Sequence, residues 1–269
     1  MARKNIKERL ELIRDLKRFA VDELGIPKNP SFEERTHSKG LHVVYASRKD
    51  RLQLPPPQWE FGRSGTIQFE QKKYCLGAKR ELDTAGFDTN YVYWEAYGSK
   101  NCPIFDSLLT CRKTRVAYVV LHEQFHIHAK MRGLSFKLNI EEAIADCFAD
   151  AAALLFFGSD SSVIRKMNKN AEEWKKLVKF VNDYTLRLNQ AYARDFDEGR
   201  ALLKESREVA VEQSICTARF SPQINNAFFL RQGYYASMDE PVQHVLADLH
   251  PGDYIKDRKL LLARLKGLR

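Results

Sequence analysis

The chain has 269 residues, is 44% hydrophobic and carries a formal net charge of +9, from 44 basic against 35 acidic residues. That is length and apolar content enough for one large domain or two small ones with a sizeable core. No run reaches about 18 apolar residues, which excludes a membrane-spanning helix, and no CxxC pair occurs among the 5 cysteines, which argues against a cysteine zinc site.

Residues 5–24 place Leu10, Ile13, Leu16, Phe19 and Ala20 at a helical period between charges, and Gly25-Ile26-Pro27 closes that helix. Residues 41–46 read as a strand. Pro55-Pro56-Pro57 marks a loop, and 66–70 reads as a second strand. A helix is predicted over 72–86, then a strand over 90–97 that alternates aromatic and polar residues. From there the chain reads as helical to its end: 107–131, 140–157, a long stretch over 171–218, then 222–233, 240–248 and 254–267. The fold class expected is α+β and mostly helical. A small mixed sheet precedes the helix at 107–131, within one domain over 1–269 that divides into a sheet-containing half (1–135) and a helical half (136–269). The basic tail sets Leu260-Leu261-Leu262 and Leu265 against Lys259, Arg264 and Lys266, an amphipathic helix that packs its leucines rather than one that binds nucleic acid. Cys102 and Cys111 could pair only if the segment between them folds back.

The chemistry concentrates at His122-Glu123-Gln124-Phe125-His126 and at Glu142, with fifteen residues between His126 and Glu142. Residues four apart on a helix share a face about 6 Å along the axis, so two imidazoles there can hold one tetrahedral Zn²⁺. Glu123 is adjacent and placed to act on a water at the metal rather than to bind the metal. The lead-in Val116-Ala117-Tyr118-Val119-Val120-Leu121 is uncharged, and Gln124, Phe125 and Ile127 continue it, so the helix should be buried. Polar groups on such a helix need partners, and a metal supplies one. The alternative is a core helix with two satisfied histidines. His128 lies off the His122/His126 face and is not read as a ligand.

Downstream, Glu142, Asp146 and Asp150 repeat every four residues on a helix that is otherwise apolar. Like charges at that spacing repel, and buried carboxylates are costly without a cation. Glu142 is read as the third ligand and Asp146 as the group that orients an imidazole N–H. Glu141 is the rival ligand. A second alternative makes Asn139 and Glu142 a helix capping box, which would explain Glu142 but not Asp146.

With these residues in place, the chain resembles the bacterial predicted-aminopeptidase family of zincin-like metallopeptidases. The resemblance rests on several segments besides HExxH: Phe19 to Pro27 with Asn29 and Ser31-Phe32, Trp59-Glu60-Phe61 before Gly65-Thr66-Ile67, and Ala96-Tyr97. It continues in Phe105-Asp106-Ser107-Leu108-Leu109, where Ser107 departs from the usual proline, in Glu142-Ala143-Ile144-Ala145, and in Asn225-Asn226-Ala227 through Gly233 and Tyr235. It covers most of residues 6–250. The resemblance implies a metallopeptidase fold and peptide-bond hydrolysis.

The expected protein is therefore a zinc-dependent, aminopeptidase-like peptide hydrolase with one zinc per chain, held by His122, His126 and Glu142. Glu123 acts as the base, and Tyr235 is the first choice for a donor to the oxyanion, with Tyr234, His244 and His250 as rivals. The partner is a peptide, which the strand over 90–97 could seat at its edge. Nucleic acid is not expected. A non-catalytic zincin used as a binding module is the alternative, and a DNA-associated basic protein a further one. The residues as written, without a signal region or lipidation cysteine, suggest the cytoplasm, with the cell envelope open if a leader was trimmed.

Overall fold

The computed structural model describes residues 2–56, 66–97, 101–158, 160–215 and 224–268, with backbone alone for 2–4. The described residues are mostly helical and form two small sheets, an α+β architecture. It groups into two units that interleave along the sequence and do not divide at residue 135. The first holds residues 1–40, 94–169 and 238–269, and the second holds 41–93 and 170–237. No described helix is long and apolar enough to cross a membrane.

The first unit is built on three helices: α1 (Ala2–Asp22), α4 (Lys113–Met131) and α5 (Leu138–Phe157). Ile13, Leu16 and Ala20 of α1 are fully buried, as their helical spacing predicts. They meet an α4 whose Val116, Ala117, Val120, Leu121 and Phe125 are also fully buried. The face of α5 that enters this core is small, with Ala143, Ala145, Ala149, Ala152 and Ala153 around Ile144 and Phe148. Small side chains let two helix axes approach closely, and this approach brings the polar residues of α4 and α5 within contact range. The turn between them is tight. Gly133 takes a φ of +61°, and Leu134 N–H reaches back to the Ala129 carbonyl at 2.9 Å, a glycine-terminated helix end. A two-residue parallel pair joins β1 (Arg35–Thr36) to β5 (Ile104–Phe105). The short α3 (Asp106–Thr110) follows, and α9 (Asp239–Leu246), α10 (Pro251–Lys256) and α11 (Arg258–Arg264) complete the unit, with α9 and α10 packed on α5.

The second unit carries a three-stranded sheet in the order β3 (Thr66–Phe69), β2 (Leu41–Arg48), β4 (Phe87–Trp94). The β2 and β3 strands run antiparallel, with His42 opposite Phe69 and Tyr45 opposite Thr66. Helices α2 (Lys72–Thr84), α7 (Phe196–Glu212) and α8 (Asn226–Ala236) and the greater part of α6 (Ser161–Arg194) belong here. The Asn225-Asn226 pair has a structural reason. Asn225 caps α8 by accepting from Phe228 N–H at 3.0 Å, and it donates to the Thr89 carbonyl at 2.8 Å. Asn226 is fully buried and donates to the carbonyls of Arg48 and Lys49 at 2.9 and 3.0 Å. A cavity of about 470 Å³ in this unit is lined by Lys49, Lys79, Asp83, Tyr91 and Asn225 among others, none of them from the HExxH segment.

Several expected elements differ in extent. The helix expected over 107–131 is two helices, because Arg112 is extended (ψ 152°) and Arg9 Nε holds the Cys111 carbonyl at 2.8 Å. The long stretch begins at Ser161, ten residues early, where the Asp160 carboxylate accepts from the N–H groups of Ser162 and Val163. It breaks at Asp195, which caps α7 through Asp197 and Glu198 N–H. Residues 254–267 are likewise interrupted, at Asp257, whose carboxylate accepts from Leu260 N–H at 2.9 Å. Cys102 and Cys111 do not form a disulfide with each other. Trp59-Glu60-Phe61 and Gly65 lie outside the described residues.

Candidate metal centre

Helices α4 and α5 bring His122, His126 and Glu142 together. The two Nε2 atoms stand 3.1 Å apart, and the Glu142 oxygens lie 3.4 Å from Nε2 of His122 and 3.5 Å from Nε2 of His126. Each imidazole faces a different oxygen of the one carboxylate, and one ligand atom from each of the three residues lies within 4.8 Å of the others, against about 3.3–3.4 Å between ligands of a tetrahedral zinc. These three residues could hold a metal ion, and they form the only such group among the described residues. Two imidazoles and one carboxylate are also the donor chemistry that a hydrolytic zinc site uses.

The opposite ring nitrogens face carboxylates. Glu141 Oε1 lies 2.8 Å from Nδ1 of His126, a hydrogen bond that turns Nε2 toward Glu142. Asp146 Oδ1 lies 2.8 Å from Nδ1 of His122, a charge contact whose alignment falls short of a hydrogen bond. Glu141 thus sits behind a histidine, whereas Glu142 faces both Nε2 atoms. The capping alternative does not match the geometry: α5 begins at Leu138 with Lys137 in the cap position, so Asn139 already lies inside the helix.

The electrostatics ask for positive charge. Burial works against a charged His122, yet Asp146 and Glu142 overcome it and raise its pKa well above the ordinary value. His126 follows the same pattern: burial opposes the charge, but Glu141 and Glu142 carry the pKa up to about 9. Burial would raise Glu142, but the two histidines hold it well below the usual carboxylate range. Without a metal, protons take up the positions where a cation would balance these carboxylates. Glu123, half-buried beside them, is raised by burial, an effect that both histidines partly offset. Asp150, one turn beyond Asp146, is pushed up to about 7 by burial and by the charges of Asp146 and Asp239. Its own surface is exposed, so repulsion from the two carboxylates is the firmer part of that cause. His128 is buried, and burial lowers it to about 4, so it is neutral.

Two features of the site carry no signal in the motif itself. Tyr118, one turn before His122, donates a hydrogen bond to Asp146 Oδ1, and its ring stacks on His122. Burial and Asp146 raise its pKa well above the usual phenol value, so it remains a donor. Gln124, inside HExxH, is 1% exposed and anchors the back of α4. It accepts from Asn29 Nδ2 at 2.8 Å and donates to Ser31 Oγ at 3.0 Å. Spacing could have found Tyr118, an aromatic residue four before a ligand, but Asn29 is 95 residues from Gln124. Tyr235 lies on α8, half-buried, with its ring edge-on to Tyr234.

An α+β chain whose helical hairpin brings two imidazoles and a carboxylate together belongs to the class of proteins that could hold a metal ion there. The family model described as "putative aminopeptidase" matches residues 1–256, and the chain belongs to that family. Membership points to a peptidase. Neither a curated protein nor a solved structure was found to match.

Proposed function

We propose that the chain is a zinc-dependent peptide-bond hydrolase of the aminopeptidase type, zincin-like in its use of HExxH and a downstream glutamate. The observation that carries this reading is the convergence of Nε2 of His122, Nε2 of His126 and the Glu142 carboxylate at 3.1 to 3.5 Å from one another. His122, His126 and Glu142 would hold one zinc per chain. A zinc ion bound there supplies Lewis acidity, which lowers the pKa of water and polarises a carbonyl. Glu123 takes the water's proton and passes it to the leaving amine, and a carboxyl raised by burial suits both tasks. Glu141 orients the ring of His126 through its hydrogen bond to Nδ1, and Asp146 stands against Nδ1 of His122. Tyr235 is proposed as the donor to the oxyanion on the strength of the family segment that contains it. The substrate is a peptide, and no nucleic acid is expected.

Glu123→Gln tests the reading. Gln keeps size and reach but accepts no proton, so zinc content should stay at about one per chain while hydrolysis of a peptide library falls by about 10²–10⁴. Equal turnover by both proteins would assign the activity to something else. Absence of hydrolysis in both, with zinc retained, would favour a binding module.

A further inference from the structure

The two proposed histidine ligands are not held alike. His126 has an aligned hydrogen bond from Nδ1 to Glu141, whereas the Asp146 contact on His122 is close but poorly aligned. One carboxylate in that geometry does not by itself lock a ring that can rotate about two side-chain bonds. Tyr118 supplies what is missing. Its ring centroid lies 5.7 Å from that of His122 with the planes 28° apart, which limits tilting of the imidazole. Its hydroxyl donates to the same Asp146 oxygen that faces His122 Nδ1, which limits motion of the carboxylate. Tyr118 is itself held from outside. The Arg115 guanidinium stands 5.5 Å from its ring centroid, and Glu95 grips that guanidinium through Nε and Nη2 at 3.0 and 2.8 Å.

We propose that Tyr118 is a positioning residue for the metal centre: by stacking on His122 and tethering Asp146 it keeps His122 Nε2 aimed at the point it shares with His126 and Glu142. The proposal rests on the metal reading above. It predicts that the phenol oxygen matters to metal affinity although it touches no ligand atom of the metal.

The test is zinc affinity, measured by competition with a chromophoric chelator, in wild type, Tyr118→Phe, Asp146→Ala and the double variant. Phe keeps the ring and its packing. Tyr118→Phe is expected to bind zinc about 10-fold or more weakly, the range seen when outer partners of a metal ligand are removed. Its metal-free form should unfold somewhat earlier, because a hydrogen bond to a carboxylate is lost; a merely structural role would stop there and leave zinc affinity at the wild-type value. In the Asp146→Ala background the same change should alter affinity by less than about threefold, because the tether has lost its target. Wild-type affinity in Tyr118→Phe, or an undiminished effect in the Asp146→Ala background, overturns the proposal. Failure of the wild type itself to bind zinc is a separate result that removes the metal reading.

Discussion

Gln124 offers the sharpest test of how α4 is held. Its side-chain amide is buried against Asn29 and Ser31, themselves 5% and 0% exposed. Gln124→Met keeps the length of the side chain and removes both polar atoms, so little cavity forms. Three hydrogen bonds disappear: two at 2.8 and 3.0 Å, each contributing about 0.5–1.5 kcal/mol net, and a longer one from Gln124 Nε2 to Asn29 Oδ1 at 3.5 Å that adds little. The remaining groups are not equally affected. Ser31 Oγ still donates to Asn29 Oδ1, and one Asn29 N–H still reaches the Pro27 carbonyl at 3.0 Å. The other Asn29 N–H is left buried without an acceptor, at a cost of about 1–3 kcal/mol. The expected loss is about 2–6 kcal/mol, read by urea denaturation of the metal-free protein. A cycle with Asn29→Ala should show a coupling of at least about 1 kcal/mol, because the partner is then absent from both sides. A loss below about 0.5 kcal/mol, or strict additivity, would refute the view that this buried triad anchors the helix.

Three further outcomes follow from the same geometry. His128 is held at about 4, below its ordinary 6.5, so the folded state resists a proton that the unfolded chain accepts. Its contribution is complete above pH 6.5 and is lost as pH falls toward 4, by about 3 kcal/mol, and His128→Leu should be free of that loss in metal-free protein; parallel pH–stability curves would refute it. His126 sits at about 9 without metal, so zinc must displace its proton: affinity should weaken as pH falls below about 9, and calorimetry in two buffers should report proton release, with a pH-independent affinity as the contrary result. Gly199 lies against the ring of Tyr192 where a Cβ would collide, so Gly199→Ala should cost about 1–3 kcal/mol in chemical denaturation, and an unchanged midpoint would contradict that close approach.

What the sequence made legible was whatever short-range periodicity could carry. The i,i+4 histidines and the Glu142–Asp146 spacing lie on helices that the structure also has, and their apolar surroundings signalled burial. The α+β class followed from alternating segments early in the chain and helical ones later. Helix limits were less legible, because single side-chain oxygens set them. Asp160, Asp195 and Asp257 each accept from backbone N–H groups and start a helix inside or ahead of a stretch that the pattern read differently. Partnerships over long sequence distance carried no pattern. Nothing near Asn29 announces a bond to residue 124, and nothing near Arg48 announces Asn226. The interleaving of the two units has the same origin, since segments far apart in the chain share one core.

The residues gathered at the candidate centre, from Tyr118 to Asp146, all lie on the two consecutive helices α4 and α5, joined by the turn at Gly133. This makes the centre a low-contact-order object inside a chain whose cores are stitched from distant segments. Its geometry is set once a single hairpin closes, with about twenty residues between first and last donor, a loop whose closure entropy is small. An ion shared by those donors would clasp the hairpin rather than cross-link the chain as a whole. It would stiffen one local element, and because only the folded hairpin gathers the three donors, its binding would add to the stability of the whole fold by mass action.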